Sequence, residues 1–216
     1  MCGVDQVGPD VLVGLPQFGG RPATLTALAR SLDLIMATFR PMAFELFTDR
    51  LHLRPWRASD AEPHRQLWTE RDRRSLRLID ADGRPTVDDL RERMAEHSKD
   101  AQPSLGLFAV ERIAGSDFIG YCGLIVGQAS MEEPEIAYEF ARRIHGNGYA
   151  TEAARIVVGE AAVTGRSRLW ATVREWNTPS LRVLEKVGFH DSGRITPDPD
   201  RGDTIWMTID LTSGTF

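Results

Sequence analysis

The feature of this 216-residue chain that most limits its possible folds is an alanine-rich helix preceded by two glycines. Small apolar residues recur three and four positions apart, the spacing of one helix face; they are Ala150, Ala153, Ala154, Val157, Val158, Ala161 and Ala162. Because these side chains are short, the helix can lie very close to a sheet. Gly146 and Gly148 stand just before it, where unpaired backbone N–H groups and the helix dipole favour an anion such as a pyrophosphate.

Two well-known glycine-rich loops do not fit this turn. The dinucleotide fingerprint G-x-G-x-x-G needs a third glycine where this chain has Thr151, and no acidic residue ends a following strand in the expected place. The Gly-Lys-Ser/Thr of a P-loop is absent. Taken alone, the G-x-G sequence is also compatible with a plain tight turn, so the flanking segments must decide.

The rest of the pattern predicts a sheet with helices packed on it. Apolar runs and alternations predict strands at residues 51–55, 105–113, 118–126, 135–140, 169–173 and 204–211. Ser59-Asp60, Thr86 and Thr178 are predicted N-caps of helices that end near residues 69, 97 and 187, and Gly188 is a predicted C-cap. Strands first, then alternating strands and helices, indicate an α/β or α+β fold.

Residues 1–43 have a different composition and are predicted to be an N-terminal appendage, with the domain proper at 44–216. Glycines and prolines dominate the first part, and a stretch with helical spacing follows at 23–39. Two interpretations stay open. The segment is either a weakly docked appendage or sequence upstream of a natural start at Met42.

The overall composition removes several classes of function. The formal net charge is −5 with a pI near 5.6, which does not favour nucleic-acid binding, although a local pocket can still be positive. Cys2 and Cys122 belong to no Cys/His cluster, so neither a metal site nor a disulfide is predicted. No apolar run approaches the ~20 residues of a membrane span, and the N-terminus lacks the basic region of a signal peptide. We therefore expect a cytoplasmic protein without a membrane partner.

The segments around the glycine turn resemble a known family. Arg143-x-x-Gly146-x-Gly148 matches the R/Q-x-x-G-x-G/A signature of GNAT acetyltransferases, and residues 148–153 are similar to the RimJ/RimL-like branch. Residues 48–56 with Asp60, 118–124, 135–140 and 177–189 resemble other blocks of that branch in the same order, so the resemblance covers about residues 46–212. It implies the GNAT fold, a twisted, mixed but mostly antiparallel sheet of six to seven strands with helices on both faces.

The same resemblance implies acetyl transfer from acetyl-CoA to a primary amine in a ternary complex, without a covalent acetyl-enzyme. The backbone N–H groups of Ile144 and of residues 146–150 would hold the pyrophosphate, and a backbone N–H of residues 136–138 would contact the thioester carbonyl. His145 is expected to pack rather than to catalyse. The full set of implied cofactor contacts is Ile136, Ala137, Tyr138, Arg143, Ile144, His145, Gly146, Asn147, Gly148, Tyr149, Ala150, Asn177 and Ser180.

Two residues are predicted to move protons. Glu135 is the candidate base for the amine, although Glu132, Glu133 or Glu139 is an alternative, and a solvated strand end is an equally plain interpretation of Glu135. Many GNAT enzymes place a tyrosine seven residues after the position of Asn177 to protonate the leaving thiolate. Leu184 stands there in this chain and cannot donate. Ser180 matches the serine proposed for that task in the RimJ/RimL-like branch, unless it only makes a local hydrogen bond.

The acceptor is the least determined part of the prediction. We expect the α-amine of a protein or peptide, with a small amine (an antibiotic, amino acid or polyamine) as the alternative, in a monomer or homodimer. A different class, a non-catalytic acyl-CoA-binding sensor, also stays open. The acceptor is expected to be selected by residues 70–104 and by the loop after Val126, which carry no recognisable motif.

Overall fold

A single sheet organises the computed structural model, which describes residues 39–97 and 105–212. Its strands lie in the order β1-β2-β3-β4-β5-β6-β8-β7. They are β1 (Leu46–Phe47), β2 (Leu51–Arg54), β3 (Leu107–Arg112), β4 (Asp117–Ile125), β5 (Glu135–Phe140), β6 (Arg168–Arg174), β7 (His190–Thr196) and β8 (Thr204–Asp210). The predicted fold class is confirmed with eight strands in place of six to seven. The very short β1 and the solvent-exposed β7 account for the difference, because neither has a readable apolar alternation.

Within the described residues, four α-helices connect and cover the strands. They are α1 (Ala61–Thr69), α2 (Val87–His97), α3 (Tyr149–Val163) and α4 (Thr178–Val187). On α3 the residues Thr151, Ala153, Ala154, Val157, Val158 and Ala161 are buried, so the predicted stripe of small side chains is the face that packs against the sheet. No helix within these described ranges is both long and apolar enough to span a bilayer.

The parallel contact between β5 and β6 is the exception in an otherwise antiparallel sheet. Its register holds at one position, where Glu135 lies opposite Trp170, and the Trp170 N–H donates to the Pro134 carbonyl at 2.9 Å. Beyond that point β5 and β6 part. The sheet therefore opens next to the C-terminal half of β5.

The helices lie on both faces of the sheet, as predicted. Tyr121 and Glu139 are cross-strand neighbours on β4 and β5, and the Tyr121 ring contacts His64 of α1, with ring centroids 5.7 Å apart. Tyr138 is next to Glu139 and so points to the opposite face. Its hydroxyl contacts Ser180 of α4. Helices α1 and α4 therefore cover opposite faces, and α3 packs beside α4.

The residues just before β1 are attached to the domain. The Arg40 N–H donates to the Thr164 carbonyl at 3.0 Å, and the Ala43 N–H donates to Glu160 Oε1 at 2.6 Å. Met42 is a core residue with 4% exposure. Residues 40–43 therefore contact the domain, and the division at residue 43 stays a prediction because most of residues 1–43 lie outside the described residues. The predicted helical stretch at 23–39 lies almost entirely outside the described residues.

Three predicted helix ends can be compared with the structure. Thr86 caps α2, since its Oγ1 accepts the Asp89 N–H at 3.1 Å, and Gly188 ends α4 with a left-handed φ of 105°. The predicted cap at Thr178 is wrong by one position. Asn177 is the N-cap of α4, and Thr178 is the first helical residue.

Asp60 is the N-cap residue of α1, as predicted, but its carboxylate makes no capping hydrogen bond to that helix because it is used elsewhere. Arg54 Nη1 and Nη2 each lie 2.8 Å from one of its oxygens, and the Arg57 N–H donates to Oδ2 at 2.8 Å. The side chains of Arg54 and Asp60 are both 3% exposed. Arg54 Nε also donates to Glu111 on β3 at 2.7 Å. This buried network joins β2, β3 and the start of α1.

Replacing Asp60 by Asn should destabilise the domain strongly, because the Arg54 guanidinium would lose a bidentate charged partner. Breaking a buried ion pair costs ~3–5 kcal/mol, and this loss should appear as a lower urea midpoint. Asp88→Asn, which breaks an exposed ion pair with Arg91 on α2, is the matched control and should leave the midpoint almost unchanged. Equal midpoints for the two variants would contradict a structural role for the buried pair.

His64 should make the domain sensitive to acid. Burial among Trp56 and Tyr121 lowers the pKa of His64 to about 4, whereas an unfolded histidine titrates near ~6.5. Between these values the unfolded chain binds the proton and the folded chain does not, so stability falls as pH drops from ~6.5 towards 4, by up to ~3 kcal/mol.

The variant His64→Gln cannot titrate and should lose this part of the acid dependence in urea titrations at about pH 4.5 and pH 7. His190→Gln, on exposed β7, should behave like the wild type. An unchanged pH dependence in His64→Gln would exclude His64 as its source.

Candidate active site

The glycine turn lies between β5 and α3. A short 3-10 helix, Arg142–Ile144, leads into it, and Gly146 and Gly148 both adopt a left-handed φ of 80°, a conformation that favours glycine. A Cβ added to Gly146 would meet no atom within 4 Å. The outer side of the turn is therefore open, at the N-terminus of α3.

The backbone N–H groups of the turn divide into two sets. Those of Ile144 and His145 donate to the carbonyls of Ala141 and Arg142, both at 3.1 Å, within the 3-10 helix. Ile144, predicted as a donor to an anion, is therefore already used. The N–H groups from Gly146 to Thr151 donate to no acceptor in the described part of the chain. These groups fit an anion.

The side chains of the turn bond to the protein and fix its shape. Arg143 Nη2 donates to the Phe118 carbonyl at 2.9 Å and to Asp117 Oδ2 at 3.1 Å. His145 Nε2 lies 3.0 Å from the Phe140 carbonyl, and Asn147 Nδ2 donates to the Ile144 carbonyl at 2.9 Å. His145 is otherwise exposed, and the expectation that it packs rather than catalyses stays a prediction.

A second anchor of the turn has no signal in the sequence. Arg50 Nη1 donates to the Asn147 carbonyl at 3.1 Å, and its guanidinium lies 4.6 Å from the centroid of the Tyr149 ring. Arg50 Nε also donates to Glu152 at 2.7 Å, and Thr48 donates to the same carboxylate at 2.5 Å. These partners are far apart along the chain, so no local pattern links them.

A groove of about 810 Å³ extends from Gly148 along the outer face of α3. Three cationic side chains line it, namely Arg50, Arg155 and Lys186. Arg155 also donates to the Lys186 carbonyl at 3.1 Å, which joins α3 to α4. Glu152 and Glu160 line the groove as well, so its cations outnumber its carboxylates by one, on a chain whose formal net charge is −5.

Glu135 begins β5 and is completely buried, so the interpretation as a solvated strand end is wrong. Its Oε2 accepts the Thr172 hydroxyl at 2.5 Å, and its Oε1 accepts the Gln128 N–H. A Cβ on Gly127 would collide with this carboxylate, so the loop after β4 closes over it. Burial raises the pKa of Glu135. A carboxyl with a raised pKa is suited to accept a proton near neutral pH.

The three alternative carboxylates have other surroundings. Glu139 is held by Arg71, whose Nε lies 2.8 Å from Oε1. Burial opposes its ionisation, but the Arg71 charge and hydrogen bonds outweigh that effect and lower the pKa of Glu139. Glu133 accepts the Trp170 indole N–H at 2.9 Å, and Glu132 is exposed. Of these four carboxylates, Glu135 and Glu139 are buried, and of these two Glu139 is the one in a salt bridge. Glu135 therefore differs from the others because it is enclosed and its pKa is raised.

Ser180 lies in the first turn of α4 and faces β5. Its Oγ is 2.8 Å from the Tyr138 hydroxyl, and that hydroxyl donates to the Ser180 carbonyl at 3.1 Å. Both residues are fully buried, as is Leu184 one turn later. Asn177 precedes them, and its carbonyl accepts the Ser180 N–H at 3.0 Å.

Strand β5 brings the two groups of predicted residues together. Glu135 and Ala137 point to the face of α1, whereas Ile136 and Tyr138 point to the face of α4. Because β6 leaves β5 after Glu135, the open edge of β5 lies between the buried carboxyl and the two hydroxyls. This opening, with the glycine turn at the far end of β5, is the candidate active site.

Comparison with known proteins identifies relatives of this chain. The sequence profile described as "Acetyltransferase (GNAT) domain" matches residues 50–190. The probable N-acetyltransferase YjcK of Bacillus subtilis is 33% identical over 152 residues, which cover 66% of this chain and 82% of YjcK. The uncharacterised Bacillus subtilis protein YkkB is 37% identical over 93 residues, which cover 42% of this chain and 54% of YkkB.

Solved structures have the same fold. Mycobacterium smegmatis RimJ, in complex with CoA-disulfide, superposes with a TM-score of 0.59 at 23% identity and covers 80% of this chain and 86% of RimJ. A mutant form of the spermidine N-acetyltransferase SpeG of Vibrio cholerae gives a TM-score of 0.60 at 18% identity, with 76% of this chain and 96% of SpeG covered. The profile spans more than half of the chain: this protein belongs to the GNAT family of acetyltransferases and has the fold of an acetyl-CoA-dependent N-acetyltransferase.

Proposed function

We propose that this enzyme acetylates the α-amine of a protein or peptide by direct attack of the amine on acetyl-CoA. The observation that carries the proposal is the enclosed carboxyl of Glu135, whose pKa is raised by burial, at the point where β5 and β6 part. An amine must lose a proton to become a nucleophile, and a carboxyl in this position is a fitting acceptor for it. Another structure of this fold is the ribosomal-protein-S5-alanine acetyltransferase of Vibrio fischeri, whose protein acceptor supports the choice of a peptide amine.

The cofactor site of the proposal rests on the unpaired backbone. Acetyl-CoA, when bound, supplies an acetyl group activated as a thioester. The N–H groups from Gly146 to Thr151 bind its pyrophosphate, and the cations beside the turn favour the negative charge. On β5 the backbone of Ile136, Ala137 and Tyr138 borders the open edge and orients the thioester carbonyl. Asn177 and Ser180 hold the pantetheine end.

Protons are moved by this chain's own residues on the two sides of β5. Glu135 Oε2 takes the proton of the amine on the face of α1, and the Ser180 hydroxyl donates to the leaving sulfur on the face of α4. The Thr172 hydroxyl bonds to Glu135 and fixes the direction of its carboxyl. The closed loop after β4 excludes water from this group.

A small amine is the second candidate acceptor, because the fold is equally similar to that of SpeG, a spermidine N-acetyltransferase. The two candidate acceptors can be distinguished by measuring the release of free CoA thiol when the enzyme is given acetyl-CoA and either a peptide or a polyamine. The peptide proposal requires turnover with free N-terminal peptides and none with the same peptides carrying a blocked N-terminus. Turnover with polyamines alone would favour the second candidate, and acetyl-CoA binding without any turnover would favour an acyl-CoA sensor.

Gly146→Glu should strongly weaken acetyl-CoA binding. The new side chain would place a negative charge on the open side of the turn, at a left-handed backbone position that disfavours residues other than glycine. Loss of charge-assisted hydrogen bonds to the pyrophosphate should weaken binding on the order of 100-fold or more, measured by calorimetry. Gly193→Glu on β7 is the matched control, since it also puts a glutamate at an open, left-handed glycine position (φ 75°) but away from the turn. Unchanged affinity in a folded Gly146→Glu would refute the phosphate assignment.

Glu135→Gln should lower turnover ~10²-fold at neutral pH, the usual scale for a positioned base. Gln keeps the shape and can still bond to Gln128 and Thr172, but it cannot take a proton. The deficit should shrink as pH rises, because more of the amine then arrives neutral. The variants Glu133→Gln and Glu139→Gln test the alternatives, and a larger, pH-dependent loss in either one would reassign the base.

The same Glu135→Gln protein should be more stable than the wild type at high pH. The folded pKa of Glu135 is raised, so the stability supplied by its protonated form is complete below the ordinary carboxyl pKa and is lost as pH rises through the raised value. The gain from Gln should therefore be near zero at about pH 4 and larger at about pH 8 in urea titrations. A variant less stable than the wild type at both pH values would argue against a strained, buried carboxylate.

A further inference from the structure

The Tyr138 side chain has no part in the proposed function so far, which uses only the backbone of that residue. Its hydroxyl lies in the space between β5 and α4, where two oxygens of Ser180 surround it. Ser180 Oγ is at 2.8 Å and the Ser180 carbonyl is at 3.1 Å. Both residues have zero exposure, so water does not compete for these hydrogen bonds.

Two of the positions of the phenol proton lie towards Ser180. If Tyr138 donates to the Ser180 carbonyl, the Ser180 hydroxyl donates to the phenol oxygen and Oγ remains an acceptor. If Tyr138 donates to Oγ, the Ser180 hydroxyl no longer donates to the phenol oxygen and can donate to another group. Reorientation of the two hydroxyl groups thus turns the Ser180 proton away from the phenol oxygen and towards another acceptor.

Ser180 alone is a poor acid for a thiolate. An aliphatic alcohol that protonates a thiolate becomes an alkoxide, a much stronger base than the thiolate it neutralises. A phenol is a far stronger acid than an alcohol and leaves a delocalised anion. Leu184 occupies the usual tyrosine position on α4 and offers no proton. The phenol that contacts Ser180 is that of Tyr138, which lies on strand β5.

We propose that Tyr138 supplies the proton and that Ser180 relays it; this inference rests on the acetyl-transfer function proposed above. As the C–S bond breaks, its electron pair goes to sulfur. Ser180 Oγ gives its proton to that sulfur and takes the Tyr138 Oη proton in the same event. The phenolate that remains is reprotonated from solvent once the site opens for product release. Tyr138 acts through Ser180 and is a positioning and proton-supplying residue rather than a group in contact with the acetyl carbon.

The plain alternative is that the hydrogen bond only joins β5 to α4. A structural link would affect stability and packing, but it would not change the acidity of a thiol bound nearby. The two roles are therefore separated by the pKa of the CoA thiol in the binary complex, followed by ultraviolet absorbance of the thiolate during a pH titration. This readout needs no acceptor and no turnover.

The titration compares the wild type with Tyr138→Phe, Ser180→Ala and the double variant. A donor chain that ends on the sulfur stabilises the thiolate, so Tyr138→Phe should raise the pKa of the bound thiol by about one pH unit, the scale of one hydrogen bond to a charged group. Ser180→Ala should raise it at least as much, and the double variant should equal Ser180→Ala, because Tyr138 reaches the sulfur only through Ser180.

Two controls test for packing and for hydroxyl loss in general. Val187→Ala loosens the buried face of α4 without touching either hydroxyl, and Ser192→Ala removes a hydroxyl that donates to the Trp206 carbonyl on the far edge of the sheet at 2.6 Å. Both should leave the thiol pKa at the wild-type value. In turnover assays, the loss in Tyr138→Phe should persist at high pH, unlike the loss in Glu135→Gln.

Several outcomes overturn the relay. An unchanged thiol pKa in Tyr138→Phe with a shift in Ser180→Ala would remove Tyr138 from the chain, and additive shifts in the double variant would show two independent effects. A shift of equal size in Val187→Ala would assign the effect to packing. Failure of the wild type to bind CoA would overturn the proposed function and the relay together, whereas CoA binding without thiol shifts overturns the relay only.

Discussion

The parallel contact of β5 with β6 at Glu135 and Trp170 is the constraint on which the rest of the site depends. At Glu135 and Trp170 this contact joins strands β1 to β5 to strands β6 to β8 in one sheet. The loop after β4 closes over the Glu135 carboxyl at the same place. Where it ends, β5 keeps its pairing with β4 on one side and has no further register with β6 on the other. A fully paired β5 would have no unpaired edge, and a fully separated one would lose the contact beside Glu135. The single point of contact permits both an enclosed acid and a stretch of buried backbone that β6 does not pair.

Strand β5 also explains why the two proton-handling groups do not interfere. Side chains alternate along a strand, so Glu135 and Tyr138, an odd number of positions apart, lie on opposite faces. The acid that receives a proton and the hydroxyls that deliver one are therefore divided by the sheet itself. Arg71 forms a salt bridge with Glu139 on the acceptor side. Glu135 is the enclosed carboxyl whose pKa burial raises, against the hydrogen bonds and the charge of Arg194 that lower it.

Much of this arrangement is predictable because it is local in sequence. The apolar stripe of α3, the two glycines before it and the caps at Thr86 and Gly188 are patterns within a few residues, and the structure has them. Strand β7 gives no signal because its residues are exposed on both faces and carry no alternation. Asp60 is at the predicted N-cap position, but its carboxylate bonds to Arg54 on another element and not to the helix. A bidentate buried ion pair outweighs a side-chain cap, and the sequence around Asp60 does not reveal that partner. The Tyr138 contact with Ser180 joins a strand to a helix 42 positions later, a distance that no periodicity reveals.

The anchoring of the glycine turn has a consequence for how this motif can be used. Arg50 reaches it from the start of β2, Asp117 reaches it through Arg143 from β4, and Glu152 completes the link from α3. Residues 143–152 therefore do not carry their own conformation. A graft of this decapeptide onto another strand–helix junction would keep the recognisable signature but lose the bonds that hold its carbonyls away from the ligand. Transplanting the cofactor turn would require these outside contacts as well, so the smallest portable unit is most of the sheet.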